Sequence, residues 1–231
     1  MAVHQTLILF LQELRKSIKI VAFSLIICTA IIFFLSPQLL HLVQKHLADT
    51  LYFFSVAGPF LAHVKLALFG SLFVLMPFLM TCVWRAIAKP FGVKGAVLVT
   101  FIVATCLLFY TGTIFCYMVT LPFGIKFLLG FGSEELQAVI SVSRFVNFVT
   151  IFILAFGLIF ELPIFMIFSA KVGVVTRKFF EKNRRYALLA IAIISAILTP
   201  TPDVVNMLLM AGPLYLLYEG GILSMMMLRI K

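Results

Sequence analysis

Charged side chains are scarce in this sequence of 231 residues, because Asp, Glu, Lys and Arg together make up only 11% of it. Soluble domains contain about a quarter charged residues and about half apolar ones. Here 64% of the residues are hydrophobic, and the mean hydropathy is +1.21. The scarcity of charge excludes a soluble globular protein, and the apolar segments suffice for five or six membrane spans of about 20 residues each.

The sequence also lacks the patterns that usually accompany catalysis or metal binding. Its four cysteines lie in apolar segments without CxxC spacing, which indicates packing residues rather than ligands or disulfides. No GxxxxGK[ST] loop is present to bind nucleotide phosphates. No serine, histidine and acid are spaced as an intramembrane hydrolase requires, and His63 is the only histidine within or beside an apolar span. We therefore expect no enzyme activity, no metal and no cofactor.

The net charge of +10 does not indicate a nucleic-acid partner, because the basic residues cluster in short segments that flank apolar spans. Most of the 18 lysines and arginines fall in the amino-terminal region, the loops after the second and fourth spans, and the tail. Those on the opposite side are Lys45, Lys65, Lys126 and Arg144. By the positive-inside rule, both termini are expected in the cytoplasm.

The chain is predicted to be a single all-α integral membrane domain over residues 1–231, with six spans. The predicted spans are residues 17–35, 60–84, 96–119, 145–170, 186–198 and 204–228. Pro37 and Pro122 are expected to end the first and third spans, and residues 3–14 have the spacing of an amphipathic helix on the membrane surface. The fifth run covers only about 20 Å against roughly 30 Å of hydrocarbon. A re-entrant hairpin made of the last two runs is the alternative.

Glu161 lies inside an apolar stretch long enough to cross a bilayer. An ionised acid at the centre of a span costs roughly 2.5 to 3.5 kcal/mol, so such residues usually face a protein interior or a wet cavity and have a function there. The alternative interpretation is a carboxyl group that is satisfied by a hydroxyl or amide of a neighbouring helix.

Three further acids lie at or in the membrane, namely Glu13, Glu219 and Asp203, which caps a span. Glu13 precedes the first span, where its carboxylate could bind the planar guanidinium of an incoming arginine at two points. The alternative for Glu13 is a helical pair with Lys16, worth only a few tenths of a kcal/mol. For Glu219 we expect an internal hydrogen bond that holds the last helix rather than a binding role.

A series of short motifs follows in order along nearly the whole chain, and the series is far more specific than any one member. The motifs are Leu11-Gln12-Glu13-Leu14-Arg15, Pro59-Phe60 with Lys65, Phe109-Tyr110 with Gly112, Tyr117 and Pro122, Phe156 to Pro163, Arg184-Arg185-Tyr186-Ala187, Leu198 to Asp203, and Pro213 to Glu219. With six spans and both ends inside, this pattern resembles the TatC family, the multispanning receptor subunit of the twin-arginine protein translocase.

The resemblance implies a glove-like bundle of six transmembrane helices with short fifth and sixth spans, in the energy-transducing inner membrane of a bacterium or organelle. It implies a receptor and assembly core that binds signal peptides with paired arginines and supports export of folded proteins by the proton-motive force. The implied partners are single-span TatA-like and TatB-like proteins, the signal peptides, the lipid bilayer and further copies of the chain.

The resemblance also assigns roles to residues. The implied signal-peptide site comprises Glu13, Leu14, Arg15 and Lys94; the intramembrane groove, open to lipid, comprises Phe160, Glu161 and Pro163; the partner contacts are Tyr186, Asp203, Asn206 and Met207.

The sequence departs from the family pattern at three places. The family usually has a second arginine-binding acid in the first cytoplasmic loop, but residues 85–95 contain no Asp or Glu, and Lys94 stands near that place. Met207 stands where a glutamine is frequent, and Phe10 where a histidine often begins the amino-terminal motif. Recognition of the arginine pair could therefore be weaker here, or depend on Glu13 and backbone carbonyls.

A function from another class stays open at this point. A small proton-coupled secondary transporter could use Glu161 and Asp203 as a proton relay. Transporters of that kind often contain internal repeats, and the two halves of this sequence show no convincing similarity.

Overall fold

The computed structural model describes residues 2–44, 51–52, 56–130, 140–198 and 204–229, which are mostly helical. The helices are α1 (Ala2–Gln44), α2 (Gly58–Ala88), α3 (Ala96–Phe115), α4 (Leu121–Leu129), α5 (Val142–Ile159), α6 (Leu162–Lys171), α7 (Arg177–Lys182), α8 (Arg184–Leu198) and α9 (Val204–Met227). Two short strands, β1 (Leu51–Tyr52) and β2 (Ile140–Ser141), pair in parallel. The predicted all-α class is confirmed.

Several helical segments are long and apolar enough to cross a membrane. Within the described part of the chain there are five, namely Ile18–Gln44, Gly58–Phe91, Ala96–Phe127, Val142–Lys171 and Met207–Met227. The remaining predicted span corresponds to α8, whose 15 residues cover about 22 Å at 1.5 Å per residue. The chain is thus a multispanning membrane protein, and whether α8 crosses the bilayer stays a prediction.

The prediction that Pro37 ends the first helix is wrong, since α1 continues to Gln44 with Pro37 inside it. Proline has no N–H, so it cannot donate to the carbonyl of Phe33 four residues earlier. The Ser36 hydroxyl donates to that carbonyl instead, at 2.7 Å. Repair by a serine side chain is one way in which membrane helices tolerate proline.

Residues 3–14 and the first predicted span are parts of one helix, because α1 runs without interruption from Ala2. The predicted helical conformation over 3–14 agrees with this backbone. The predicted position of this segment along the membrane surface stays a prediction.

Pro122 does not close the third span either. A π-helical turn, Cys116–Thr120, joins α3 to α4, and the Leu121 N–H donates to the Cys116 carbonyl five residues back. Pro122 has no N–H to donate to the carbonyl four residues before it. The π-helical turn shifts the backbone hydrogen bonds from i,i−4 to i,i−5 directly before this proline. The helical segment therefore continues past the proline to Leu129.

Contacts divide the chain into two compact units. The first contains Met1–Cys106 and Ile125–Leu154, and the second contains Leu107–Gly124 and Ala155–Lys231. Both units take residues from the helical segments around α3 and α5, so each is built from pieces distant in the sequence.

In the first unit, α1 and α2 pack side by side in opposite directions, joined by polar side chains. The hydroxyls of Thr29 and Ser71 lie 2.8 Å apart. The Ser36 hydroxyl lies 2.9 Å from Nδ1 of His63. Because lipid is as apolar as leucine, such interhelical hydrogen bonds help to hold membrane helices together.

Further polar pairs join α2 to α3 and α5 in the same unit. The Trp84 indole N–H donates to the Thr105 hydroxyl at 2.9 Å, and both side chains are buried. The Lys65 ammonium donates to Oδ1 of Asn147 at 3.3 Å. Lys65 is therefore held by an amide of α5, in addition to being near the start of its span.

In the second unit, glycines let helices approach closely. A Cβ atom at Gly157 of α5 would lie 2.5 Å from the Phe109 ring and 2.8 Å from the Thr113 methyl group. Phe109 and Gly157 are both buried. Small residues at such contacts let backbones pack tightly where no hydrophobic force drives association.

We predict that Gly157→Ala lowers the free energy of unfolding by about 1 to 3 kcal/mol, because the added methyl group must displace a buried ring. Thermal unfolding in detergent measures the change. Gly220→Ala in α9 is the matched control, since a Cβ there meets nothing within 4 Å. Equal stability of the two variants would contradict the close packing at Gly157.

Candidate functional site

The predicted signal-peptide residues Glu13, Leu14 and Arg15 lie in the amino-terminal part of α1. The side-chain pairs Thr29–Ser71 and Ser36–His63 define the antiparallel register of α1 against α2. Extending this register places Glu13 level with the carboxyl end of α2. The side chains of the three residues lie outside the described part of the structure, so only their place along the helix is known.

The loop after α2 lies at this same end of the first unit. A 3₁₀ turn, Lys89–Phe91, follows α2 directly and contacts α1. Lys94 comes next, with an exposed side chain, between Gly92 and Gly95, whose φ values of 67° and 66° are left-handed. Glycine adopts these angles without strain. The fold thus brings the Glu13 segment and the Lys94 loop to one end of one unit.

Glu161 lies at a break in the fourth span that the sequence analysis did not predict. α5 ends at Ile159 and α6 begins at Leu162, with Glu161 at the N-cap position of α6. Pro163 cannot donate to the Ile159 carbonyl, which accounts for the interruption. The Glu161 carbonyl accepts hydrogen bonds from the N–H groups of Ile164 and Phe165, at 3.0 and 3.1 Å. The proline after the acid was the signal that could have predicted this break.

The residues on either side of Glu161 are positioned by glycines. A Cβ at Gly112 would lie 2.5 Å from the Phe160 ring, so this ring sits directly on the Gly112 backbone. The Phe160 ring also packs 5.7 Å from that of Phe115. On α9, a Cβ at Gly221 would lie 3.3 Å from the Pro163 Cα. Close contacts on both flanks therefore fix the backbone that carries the acid.

The predicted groove residues do lie together, but they are not open to their surroundings. Glu161 is only 1% exposed, Pro163 is buried and Phe160 is half-buried. A ligand could reach the carboxyl group only after neighbouring side chains move. The groove open to lipid stays a prediction, and it requires a conformation different from this one.

Glu219 forms the internal link that we expected of it. Its carboxylate accepts hydrogen bonds from the Arg184 guanidinium at 2.9 Å and from the Tyr215 hydroxyl at 3.1 Å. The first bond joins the first residue of α8 to a residue of α9 eight positions before the end of that helix. Because the bond to Glu219 favours the charged form, it raises the pKa of Arg184. The i,i+4 spacing of Tyr215 and Glu219 was a signal for this cluster.

Of the predicted partner-contact residues, the structure describes the side chains of Tyr186 and Met207, and it does not bring these two together. Tyr186 is exposed on the first turn of α8, with the Arg185 guanidinium 4.9 Å above its ring. Met207 is half-buried on the first turn of α9. Because the two helices run in opposite directions, Tyr186 and Met207 lie at opposite ends of the pair. Asp203 and the side chain of Asn206 lie outside the described residues.

The described residues include no group of three or more His, Cys, Asp and Glu side chains that could hold a metal ion. The arrangements that the structure does describe are the buried acid Glu161 at a helix break, the ion pair of Arg184 with Glu219, and the exposed Lys94 in the loop after α2. Such arrangements suit binding of a peptide or a partner helix.

Comparison with known proteins gives consistent results. Residues 9–213 match the family model "Sec-independent protein translocase protein (TatC)". A protein of that name from Carboxydothermus hydrogenoformans is 32% identical over 223 residues, covering 94% of this chain and 91% of the relative. Its counterpart from Escherichia coli O6:H1 is 31% identical over 225 residues, with coverages of 94% and 87%.

Solved structures agree with the sequence matches. A crystal structure of the twin-arginine translocase receptor TatC in DDM superposes on the chain with a TM-score of 0.83 and 30% identity. The superposition covers 93% of this chain and 98% of the other. A second crystal structure of that receptor has a TM-score of 0.80 over 93% and 96% of the two chains.

We predict that Glu161→Gln changes the free energy of unfolding by less than about 1.5 kcal/mol, because the amide keeps the volume of the buried side chain. Glu161→Ala should cost about 2 kcal/mol or more, since it leaves a cavity. Unfolding in detergent measures both variants. If Glu161→Gln were as unstable as Glu161→Ala, the fold would require the acid itself.

Proposed function

The chain belongs to the TatC family, and from this we propose that it is the receptor and core subunit of a twin-arginine translocase in a bacterial or organellar inner membrane. The observation that carries the proposal is the match of a solved receptor to nearly the whole chain, not to one motif. This breadth favours a translocase subunit over the secondary transporter that Glu161 and Asp203 left open.

The first step of the proposed mechanism is capture of the signal peptide's arginines at the cytoplasmic end of the first unit. Glu13 supplies the carboxylate, and a guanidinium can bind it through two parallel hydrogen bonds. Support comes from the register that brings the Glu13 segment level with the carboxyl end of α2. Leu14, Arg15 and Lys94 would line the same site.

In the second step, the apolar part of the signal peptide enters the region around Glu161. Because Glu161 is 1% exposed, entry requires that Phe160 or its neighbours move first. The break between α5 and α6 supports such a movement, since the two helices share no continuous hydrogen-bond ladder across it. The protonation state of Glu161 would then bias whether a partner helix or water fills the opened space.

Single-span TatA-like and TatB-like partners are proposed to dock along α8 and α9. α8 carries large apolar side chains that are at least half exposed, including Leu189, Ile193 and Ile197. A helix of about 22 Å is shorter than the hydrocarbon layer, and short spans favour association with other helices. Self-association of the chain in the active complex is part of the same proposal.

The proposed role is not enzymatic. Work on the cargo would be driven by the proton-motive force through the assembled complex, with this chain supplying recognition and assembly.

The proposal predicts that this chain restores export of a folded reporter with a twin-arginine signal in a translocase-null bacterium. Glu13→Gln should weaken crosslinking of the signal peptide by about tenfold or more, because a charge-assisted hydrogen bond is lost. Export of the reporter should fall with it. Crosslinking to a labelled signal peptide in membranes measures the first effect.

Glu181→Gln is the matched control, because it removes an acid that pairs with Arg177 at 3.1 Å in a different loop. This variant should crosslink as the unmodified chain does. If the unmodified chain restores export but Glu13→Gln crosslinks as strongly as it does, Glu13 is not part of the site, and the proposed receptor function is unaffected. Failure to restore export in every partner background would contradict the function itself.

The loop that lacks an acid generates a second prediction, a gain of affinity. Lys94→Glu replaces a cation that repels the incoming arginines by a carboxylate that attracts them. An exposed ion pair contributes up to about 1 kcal/mol, so affinity should rise by up to about fivefold. Titration with a twin-arginine peptide measures the gain, and a peptide with neutral residues in place of the arginines should show none. Unchanged affinity would exclude Lys94 from the site.

A further inference from the structure

The segment between α6 and α8 is strongly basic, and the one acid within it already forms an ion pair. Residues 171–185 contain six lysines and arginines and one acid, Glu181. Arg177 pairs with Glu181 at 3.1 Å, and Arg184 pairs with Glu219 of α9 at 2.8 Å. Two of the cations are thereby neutralised within the fold. The positive charge that remains includes Lys178 and Lys182 of α7.

These two lysines share one face of α7. They are spaced i,i+4, which places them one above the other on a helix, and both are exposed. Phe179 lies beside them with 55% of its surface exposed, and Val174, just before α7, is 62% exposed. The surface therefore combines two ammonium groups with exposed apolar side chains.

α7 is held in a defined position. The Tyr218 hydroxyl of α9 donates to the Phe180 carbonyl at 2.7 Å. The rings of Phe180 and Tyr218 meet edge to face, with centroids 6.3 Å apart. Phe180 thus points into the fold, and its neighbour Phe179 remains outside. The lysines and Phe179 are presented by a helix that is anchored to a candidate span.

We propose that this surface, Lys178, Lys182 and Phe179, binds the headgroups of anionic phospholipids in the cytoplasmic leaflet. α7 begins six residues after Lys171, where a candidate membrane span ends. At that depth lysines meet lipid phosphates, and basic clusters directly beside a span are typical of anionic lipid binding. The exposed phenylalanine can insert among the acyl chains.

A phospholipid matches the chemistry of this surface better than an acidic protein or a nucleic acid does. Those partners would contact the lysines but would leave the exposed Phe179 and Val174 side chains in water. A lipid covers both, since its headgroup and chains meet at the same level of the membrane. Because Arg177 and Arg184 are already paired with acids of the chain, the two lysines form a surface for a headgroup rather than for a long polyanion.

The test uses the full chain in phosphatidylcholine vesicles that contain a trace of photoactivatable phosphatidylglycerol. Labelling should concentrate on residues 174–185 and exceed that by photoactivatable phosphatidylcholine. The double variant Lys178→Gln with Lys182→Gln should reduce labelling by phosphatidylglycerol by about fivefold for each lysine removed. Lys178→Arg with Lys182→Arg should keep it, and Phe179→Ser should reduce it. Rising salt should weaken the labelling, because exposed charges are screened.

The matched control is Arg85→Gln with Lys89→Gln, which removes two exposed cations from the carboxyl end of α2 and the turn that follows it. It should leave labelling of 174–185 unchanged. Equal loss in both double variants, or equal labelling by the two lipids, would overturn the proposal. Displacement of the labelled lipid by soluble polyglutamate or RNA at lower concentration than by phosphatidylglycerol would also overturn it. Unfolding curves check that each variant folds, and labelling needs no signal peptide, so it is independent of the proposed receptor role.

Discussion

The absence of water from the bilayer core is the constraint on which the rest of this structure depends. There, each backbone N–H and carbonyl must find its partner within the protein, yet prolines occur inside or between the helices. Ser36 donates to the carbonyl that Pro37 cannot serve, and a π-helical turn precedes Pro122. At Pro163 the helix is interrupted instead. Each of these three prolines is accommodated by a different local solution, and the interruption is where the buried acid lies.

Close packing then determines what surrounds that acid. Phe160 rests on the backbone of Gly112, and Pro163 lies against Gly221. Because a Cβ would lie 2.5 Å from the Phe160 ring at Gly112 and 3.3 Å from the Pro163 Cα at Gly221, both flanks of Glu161 are closely packed and its backbone has little freedom in this conformation. Glu161 itself is 1% exposed. A receptor that uses this acid must therefore open the site, and the helix break is the feature that makes opening local.

Charge is distributed according to the same constraint. Within the described residues, Arg177 pairs with Glu181 in the short helix α7, outside the candidate spans, and Arg184 at the first position of α8 pairs with Glu219 of α9. The polar pairs inside the spans are mostly neutral, such as Thr29 with Ser71. The proposed capture of a charged peptide by Glu13 and Lys94, and the proposed binding of lipid headgroups by α7, both place charge recognition outside the apolar spans.

Hydropathy and the placement of lysine and arginine were sufficient to predict a multispanning helical membrane protein, because each helix meets the same apolar solvent along its length. Motifs around Glu13, Glu161 and Glu219 were sufficient for the family, and the internal bonding of Glu219 was predictable from its i,i+4 neighbour Tyr215. Only the structure decided that Pro37 and Pro122 do not end their helices, since the Ser36 hydroxyl and the π-helical turn accommodate these prolines through their local geometry. It alone decided that Glu161 is buried, because burial depends on contacts between segments that are distant in the sequence, as Gly112 and Gly221 are from the residues Phe160 and Pro163 that they contact.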